Sequence, residues 1–230
     1  MIGRMNADPL STQSTHALAI QSRLAELAMR IPMPPDAAPD RHQVGYQLFG
    51  VSFEHSVSIT SHVQRHGSAY AASAFALARP MLETLQRGWW FTLCADDAQT
   101  QTFLEEDKFP FFKAKVVAEA IDKHSPFRDS RFFSTLSQDE WSLYHSFTHG
   151  GRAALAVYGN RPHLAPDYDP DLIPALLSNA IRMAALAVMG MCWVCGPYDK
   201  DAVNPLYKQL LAMGPELDLP GSIIAAARAG

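Results

Sequence analysis

The feature that most constrains this chain is a run of 13 apolar residues, Met183 to Cys195, closed on its amino side by Arg182. A helix apolar on every side has no face to offer water, so it belongs in a membrane or at the centre of a packed core. A bilayer span needs roughly 18–20 such residues, and the run falls short. It therefore predicts a buried helix, extending back to Asp171, around which the other segments must be laid. The remaining chain can do this. Its 230 residues are 48% hydrophobic and only 18% charged, enough for one core without metal clips or disulfides.

Helical periodicity recurs along the chain. Leu10, Leu18, Leu24, Leu27 and Ile31 predict a first helix within residues 1–30, and Ile31 to Asp40, with four prolines in ten residues, predicts a stiff connector. Residues 41–230 then form the core domain. Gln43 to His66 reads as a helix stopped by Gly67. Ser68 to Ala95 reads as another, which Pro80 either kinks or divides. Asp96-Asp97 opens a helix through Glu106, and Pro110 leads into a helix ending near His124. Ser137-Gln-Asp-Glu140 has the form of a capping box for a helix through Trp141, Tyr144 and Phe147. Val203 to Met213 reads as a last short helix. Period-two alternation is confined to Ala153 to Tyr158, one candidate short strand. The expected fold is all-α, a single-domain helical bundle of about six to eight helices.

Charge and processing signals narrow the function classes. A net charge of −4 provides no basic field for non-specific nucleic-acid binding. The opening residues lack the apolar run of a secretory signal, and the odd count of three cysteines suits reduced thiols, so a cytoplasmic protein off the membrane is expected.

One polar constellation interrupts the apolar pattern. Arg79, Glu83 and Arg87 are spaced four apart and share a helix face if that helix is continuous. A carboxylate between two guanidiniums accepts from both, and the net +1 leaves donors for an anionic group. The alternative is an ion-pair triad that pins two helices together. Downstream, Tyr144-His-Ser-Phe-Thr-His149-Gly-Gly151 places a histidine at a helix end before two glycines. His149 is either a titratable group able to act as acid or base, or a cap on the last carbonyls.

The series Phe75-Ala-Leu-Ala-Arg79-Pro80-Met-Leu-Glu83, Arg87-Gly-Trp-Trp90 and Phe147-Thr-His-Gly-Gly151 resembles an uncharacterised bacterial family of helical proteins, a domain of unknown function, over roughly Phe53 to Cys195. The resemblance implies an all-helical fold in which Arg79, Glu83, Arg87 and His149 form one polar cluster; Tyr144 and Thr148, in the same segment as His149, are further ligand-binding candidates. More distantly, such proteins are similar to the HEPN and abortive-infection helical domains, some of which cleave RNA without metal using arginine and histidine. Their spacing, an arginine followed about five to seven positions later by a histidine, occurs nowhere in this chain. A nuclease would instead need Arg79 or Arg87 to meet His149 in space.

Other constellations are weaker. His55, His62 and His66 lie on one helical stripe but span too great a length for one metal ion, leaving His62 and His66 as the metal alternative. Cys192-Trp-Val-Cys195 sits at the carboxyl end of its helix, where the dipole opposes a thiolate, and reads as core. No phosphate-binding loop is present, and no cofactor is expected. Trp89-Trp90, Trp141, Phe111-Phe112 and Phe132-Phe133 read as core aromatics.

The expected function is a binding module whose Arg79/Glu83/Arg87/His149 cluster receives an anionic, phosphate-bearing small molecule or RNA end. The alternatives are a metal-independent ribonuclease with His149 as catalytic acid or base, and a structural or toxin-antitoxin-like interaction protein. The apolar carboxyl half is a candidate homodimer face.

Overall fold

The computed structural model describes residues 9–109, 113–159 and 166–229. Its centre is the long apolar helix Leu172–Cys195, preceded by Asp171 and followed by Gly196. Every residue from Met183 to Cys192 in it is buried. The helix is longer than its uninterrupted apolar run, because Leu172 to Ile181 continue the stripe on the far side of Arg182. By length and composition it is apolar enough to cross a membrane, yet 72% of its most apolar window is buried inside the protein. The stripe expected to offer a homodimer face is thus largely covered by the chain's own helices.

In chain order the helices are α1 (Pro9–Ala28), α2 (Asp40–His66), α3 (Ala71–Leu93), α4 (Asp97–Glu106), α5 (Ala114–Ile121), α6 (Phe132–Thr148), α7 (Arg152–Ala156), α8 (Leu172–Cys195), α9 (Lys200–Ala212) and α10 (Gly221–Ala229). The described residues form these ten helices where six to eight were expected, and they include no strand. α1, α2, α3 and α9 pack on α8. A 3-10 turn, Gly67–Tyr70, joins α2 to α3. Gly45 faces Thr92 while the Ser52 hydroxyl donates to Met81 O, so these two helices run antiparallel. Their axes come close because Gly88 and Gly190 leave room for Phe49, a fully buried ring that fills the space between α2, α3 and α8.

The first helix is part of the core. Gln21 Nε2 donates to Ser56 O and Ser56 Oγ, and Ser56 Oγ donates to Ala180 O, a buried polar chain across α1, α2 and α8. The proline connector is held too, with the Cys195 thiol on Pro32 O at 3.0 Å and Gln43 Nε2 on Pro35 O at 2.8 Å. Burial pushes both the Cys192 and Cys195 thiols up to about 12, as expected of core cysteines.

Three local expectations are corrected. α6 begins at Phe132, so Ser137 lies inside the helix and does not cap it. The cap comes from Asp122 at the end of α5, whose carboxylate accepts from Phe133 N and Ser134 N at 3.1 and 2.8 Å. The candidate strand at Ala153 to Tyr158 is mostly helix α7, because Ser146 Oγ accepts from Ala153 N and satisfies its first turn. The chain also continues past Met213 into α10, where Ile223 is buried. Phe111 and Phe112 lie outside the described residues.

Candidate functional site

Pro80 sits inside a continuous α3 and does not divide it. Proline has no N–H for the carbonyl four residues back, so Ala76 O is left without its helical donor. The Thr148 hydroxyl lies 3.2 Å from Ala76 O and 2.8 Å from Tyr144 O, donating to a carbonyl of each helix. The Arg-Pro and Thr-His motifs are therefore mechanically connected: the proline opens a carbonyl on α3, and the threonine of α6 occupies it. This crossing brings the next residue, His149, to the neighbour of the proline, Arg79.

At that crossing Arg79 Nε donates to Glu83 Oε1 at 2.8 Å. Arg79 Nη1 donates to His149 Nε2 at 2.7 Å and also to His145 Nδ1. A guanidinium only donates, so in this geometry the facing ring nitrogens of both imidazoles stand as acceptors. The two rings lie 4.5 Å apart between centroids, one turn apart on α6. The Arg79 and Glu83 side chains are 25% and 31% exposed, at the rim of the bundle and open to water.

Beside this pair opens a cavity of about 370 Å³. α3 contributes Arg79, Glu83, Gln86 and Arg87 to it, α5 contributes Ala114 and Val117, and α6 contributes Trp141, Ser142 and His145, with Phe109 closing one side. Arg87 lies over the Phe109 ring at 5.1 Å from its centroid, a cation–π contact. Its guanidinium makes no ion pair among the described residues. The expectation that Glu83 bridges both arginines is thus corrected: among the described residues the carboxylate pairs with Arg79 and not with Arg87. Gln86 is 5% exposed and donates from Nε2 to Ala114 O at 3.2 Å.

The structure brings Arg79, Glu83, Arg87 and His149 to one rim, and it separates the remaining candidates from them. Tyr144 is buried, with its hydroxyl accepting from Asn179 Nδ2 at 2.8 Å, so it faces the core and not the cavity. Adjacent helical residues point about 100° apart, which sends Tyr144 inward and His145 outward. Thr148 is engaged by the two carbonyls. The cavity residues not assigned to this site from the sequence are Gln86, Phe109, Trp141, read as a core aromatic, and His145, weighed only as an i, i+4 metal pair with His149. Of these, His145 carried a readable signal, its spacing of four from His149. His62 and His66 lie 4.8 Å apart between ring centroids, and His62 Nε2 contacts Tyr70 O. No cluster of three or more metal-ligating side chains occurs among the described residues. Trp89, Trp90, Phe132 and Phe133 are buried in the core.

No curated protein and no solved structure matches the chain. Residues 49–210, from within α2 into α9, match the model of one protein family, and they include both motifs and every residue lining the cavity. The chain belongs to that family, DUF6988, a family of unknown function.

Proposed function

We propose that the cavity between α3, α5 and α6 is a binding site for an anionic, phosphate-bearing ligand. The observation that carries this reading is Arg87, a half-buried guanidinium on the cavity wall with no carboxylate partner among the described residues. Buried or half-buried charges are ordinarily paired, and an arginine left open in a concavity is a ready partner for an anion. Arg79 adds the two N–H groups of Nη2, since Nε and Nη1 are occupied by Glu83 and the histidines. With Glu83 counted, the site carries a net +1. In this scheme Arg87 and Arg79 hold the anion, Glu83 fixes the Arg79 plane, and His149 and His145 set its direction. The burial of most of α8's apolar window supports a protein working off the membrane, and the cytoplasm is the compartment we propose for it.

Isothermal titration of the full chain with inorganic phosphate tests the reading. Saturable binding, abolished in Arg87→Ala and weakened in Arg79→Ala while both variants melt like the parent, is the expected result. Unchanged binding in both folded variants overturns it.

The contact of Arg79 with His149 favours a second reading, metal-independent RNA cleavage with His149 as general acid or base and Arg79 stabilising charge on the phosphorus oxygens. Cleavage of RNA in the presence of EDTA, lost in His149→Ala, is its signature. Intact RNA across diverse substrates removes it.

A further inference from the structure

We infer that the phosphate-bearing ligand is a nucleotide, held by its phosphate at Arg79 and Arg87 and read through its base by Gln86 and Trp141. The inference rests on the proposed anion site and adds the chemical class of what the anion is attached to.

Two observations point beyond phosphate. The first is size and wall chemistry. A cavity of about 370 Å³ falls in the range of about 300–1,000 Å³ that small organic ligands occupy, and a lone phosphate would leave most of it empty. Besides its charged and polar groups the wall has Trp141, Val117 and Ala114, with Phe109 beneath Arg87, which provides aromatic and aliphatic surface for a flat ring. Stacking of a base on an aromatic side chain tolerates any base identity and adds substantially to affinity.

The second observation is Gln86. Its side chain is almost wholly buried, yet only one of its polar atoms has a partner. Nε2 donates to Ala114 O, which holds the amide plane, while Oε1 has no hydrogen bond among the described residues. Oε1 is also not sealed from solvent, which separates it from the enclosed and unpaired Oε1 of Gln21. A fixed amide therefore offers the cavity an acceptor and the remaining N–H of Nε2. A paired acceptor and donor in one plane match the amino and ring-nitrogen edge of a base, as glutamine does when it reads adenine bidentately. A sugar phosphate has no such planar edge with which to meet both atoms at once.

The test is calorimetric titration of the full chain with inorganic phosphate, ribose 5-phosphate and the four nucleoside 5′-monophosphates. The expected result is that at least one nucleotide binds about tenfold or more tightly than ribose 5-phosphate. Trp141→Ala and Gln86→Met should each erase most of that advantage and leave ribose 5-phosphate affinity within about twofold. If the buried Gln86 variant does not fold, Trp141→Ala alone carries the comparison. Equal affinity for ribose 5-phosphate and all four nucleotides, with Arg87→Ala abolishing both, overturns the base inference and leaves the anion site standing. A nucleotide advantage that survives in the folded variants also overturns it. Absence of binding by every phosphate compound overturns the anion site itself.

Discussion

Removing the Thr148 hydroxyl, first in the natural chain and then in one whose α3 has no proline, probes the crossing that builds the site. In the natural chain Thr148→Val leaves Ala76 O with no helical donor and no hydroxyl. The cost is limited by geometry. The hydroxyl has one proton and sits nearer to Tyr144 O, at 2.8 Å, than to Ala76 O, at 3.2 Å, and Thr148 is exposed enough for water to substitute. A typical intramolecular hydrogen bond contributes about 0.5–1.5 kcal/mol net, so the loss belongs near the lower end, about 0.5–1 kcal/mol. For a chain of this size that lowers Tm by about 1–4 °C. In Pro80→Ala the new backbone N–H satisfies Ala76 O within the helix, and the Thr148→Val penalty should fall to a few tenths of a kcal/mol. Thermal melts of the four proteins form a double-mutant cycle, with an expected coupling of about 0.5 kcal/mol. An equal Thr148→Val penalty in both backgrounds refutes the argument that the threonine serves the carbonyl freed by the proline.

Glu83→Gln should cost less than about 1 kcal/mol, because its partner is a single rim arginine at i−4 in contact with water. A loss of about 3 kcal/mol or more in a denaturant melt would instead restore the ion-pair staple. Gly190→Ala would place a methyl group within 2.6 Å of Phe49 Cε1, and the ring is packed so closely on Gly88, where an added Cβ would meet Cδ1 at 2.8 Å, that it has little room to retreat. Overpacking of about 1–3 kcal/mol should exceed the roughly 1 kcal/mol gained in helix propensity, and Phe49→Leu should relieve it; an unchanged or raised Tm contradicts that packing. His42 is held below its ordinary 6.5, first by burial and then by the Arg41 charge, while its ring contacts the Tyr198 hydroxyl at 2.7 Å. The unfolded chain therefore takes up a proton at 6.5 that the folded chain refuses, so stability is complete above 6.5 and declines as the pH falls below it. Melts from pH 7.5 to 5 should show that decline weakened in His42→Gln, and an identical pH slope in both proteins refutes it.

Much of the architecture is legible because helices announce themselves locally. The Asp96 cap and its reciprocal Gln99 contact start α4 where the acidic pair suggests, and α8 runs from the residue after Asp171 to Cys195. The failures arise where a distant group takes a local role. The start of α6 is decided by Asp122, eleven residues before Phe133, and that of α7 by Ser146, seven residues before Ala153. No window on the segment itself contains those acceptors. The site divides the same way. Arg79 and Glu83 share a helix face by spacing, so their ion pair is readable in one dimension. The cavity is not, since Gln86, Phe109 and Trp141 come from three segments and each alone looks like core. Tyr144 shares a sequence segment with His149, but it turns into the core, while His145, one residue on and about 100° around α6, faces the cavity.

The central claim is that Arg87 waits in the cavity for an anion. The most direct measurement is a ¹⁵N–¹H spectrum of the arginine Nε–H groups during titration with inorganic phosphate, assigned through Arg79→Lys and Arg87→Lys. The account predicts that the Arg87 and Arg79 resonances move together and saturate, while surface arginines such as Arg23, paired with Glu216 outside the cavity, stay in place. An Arg87 resonance that stays still while phosphate shifts other arginines, or none, would contradict it.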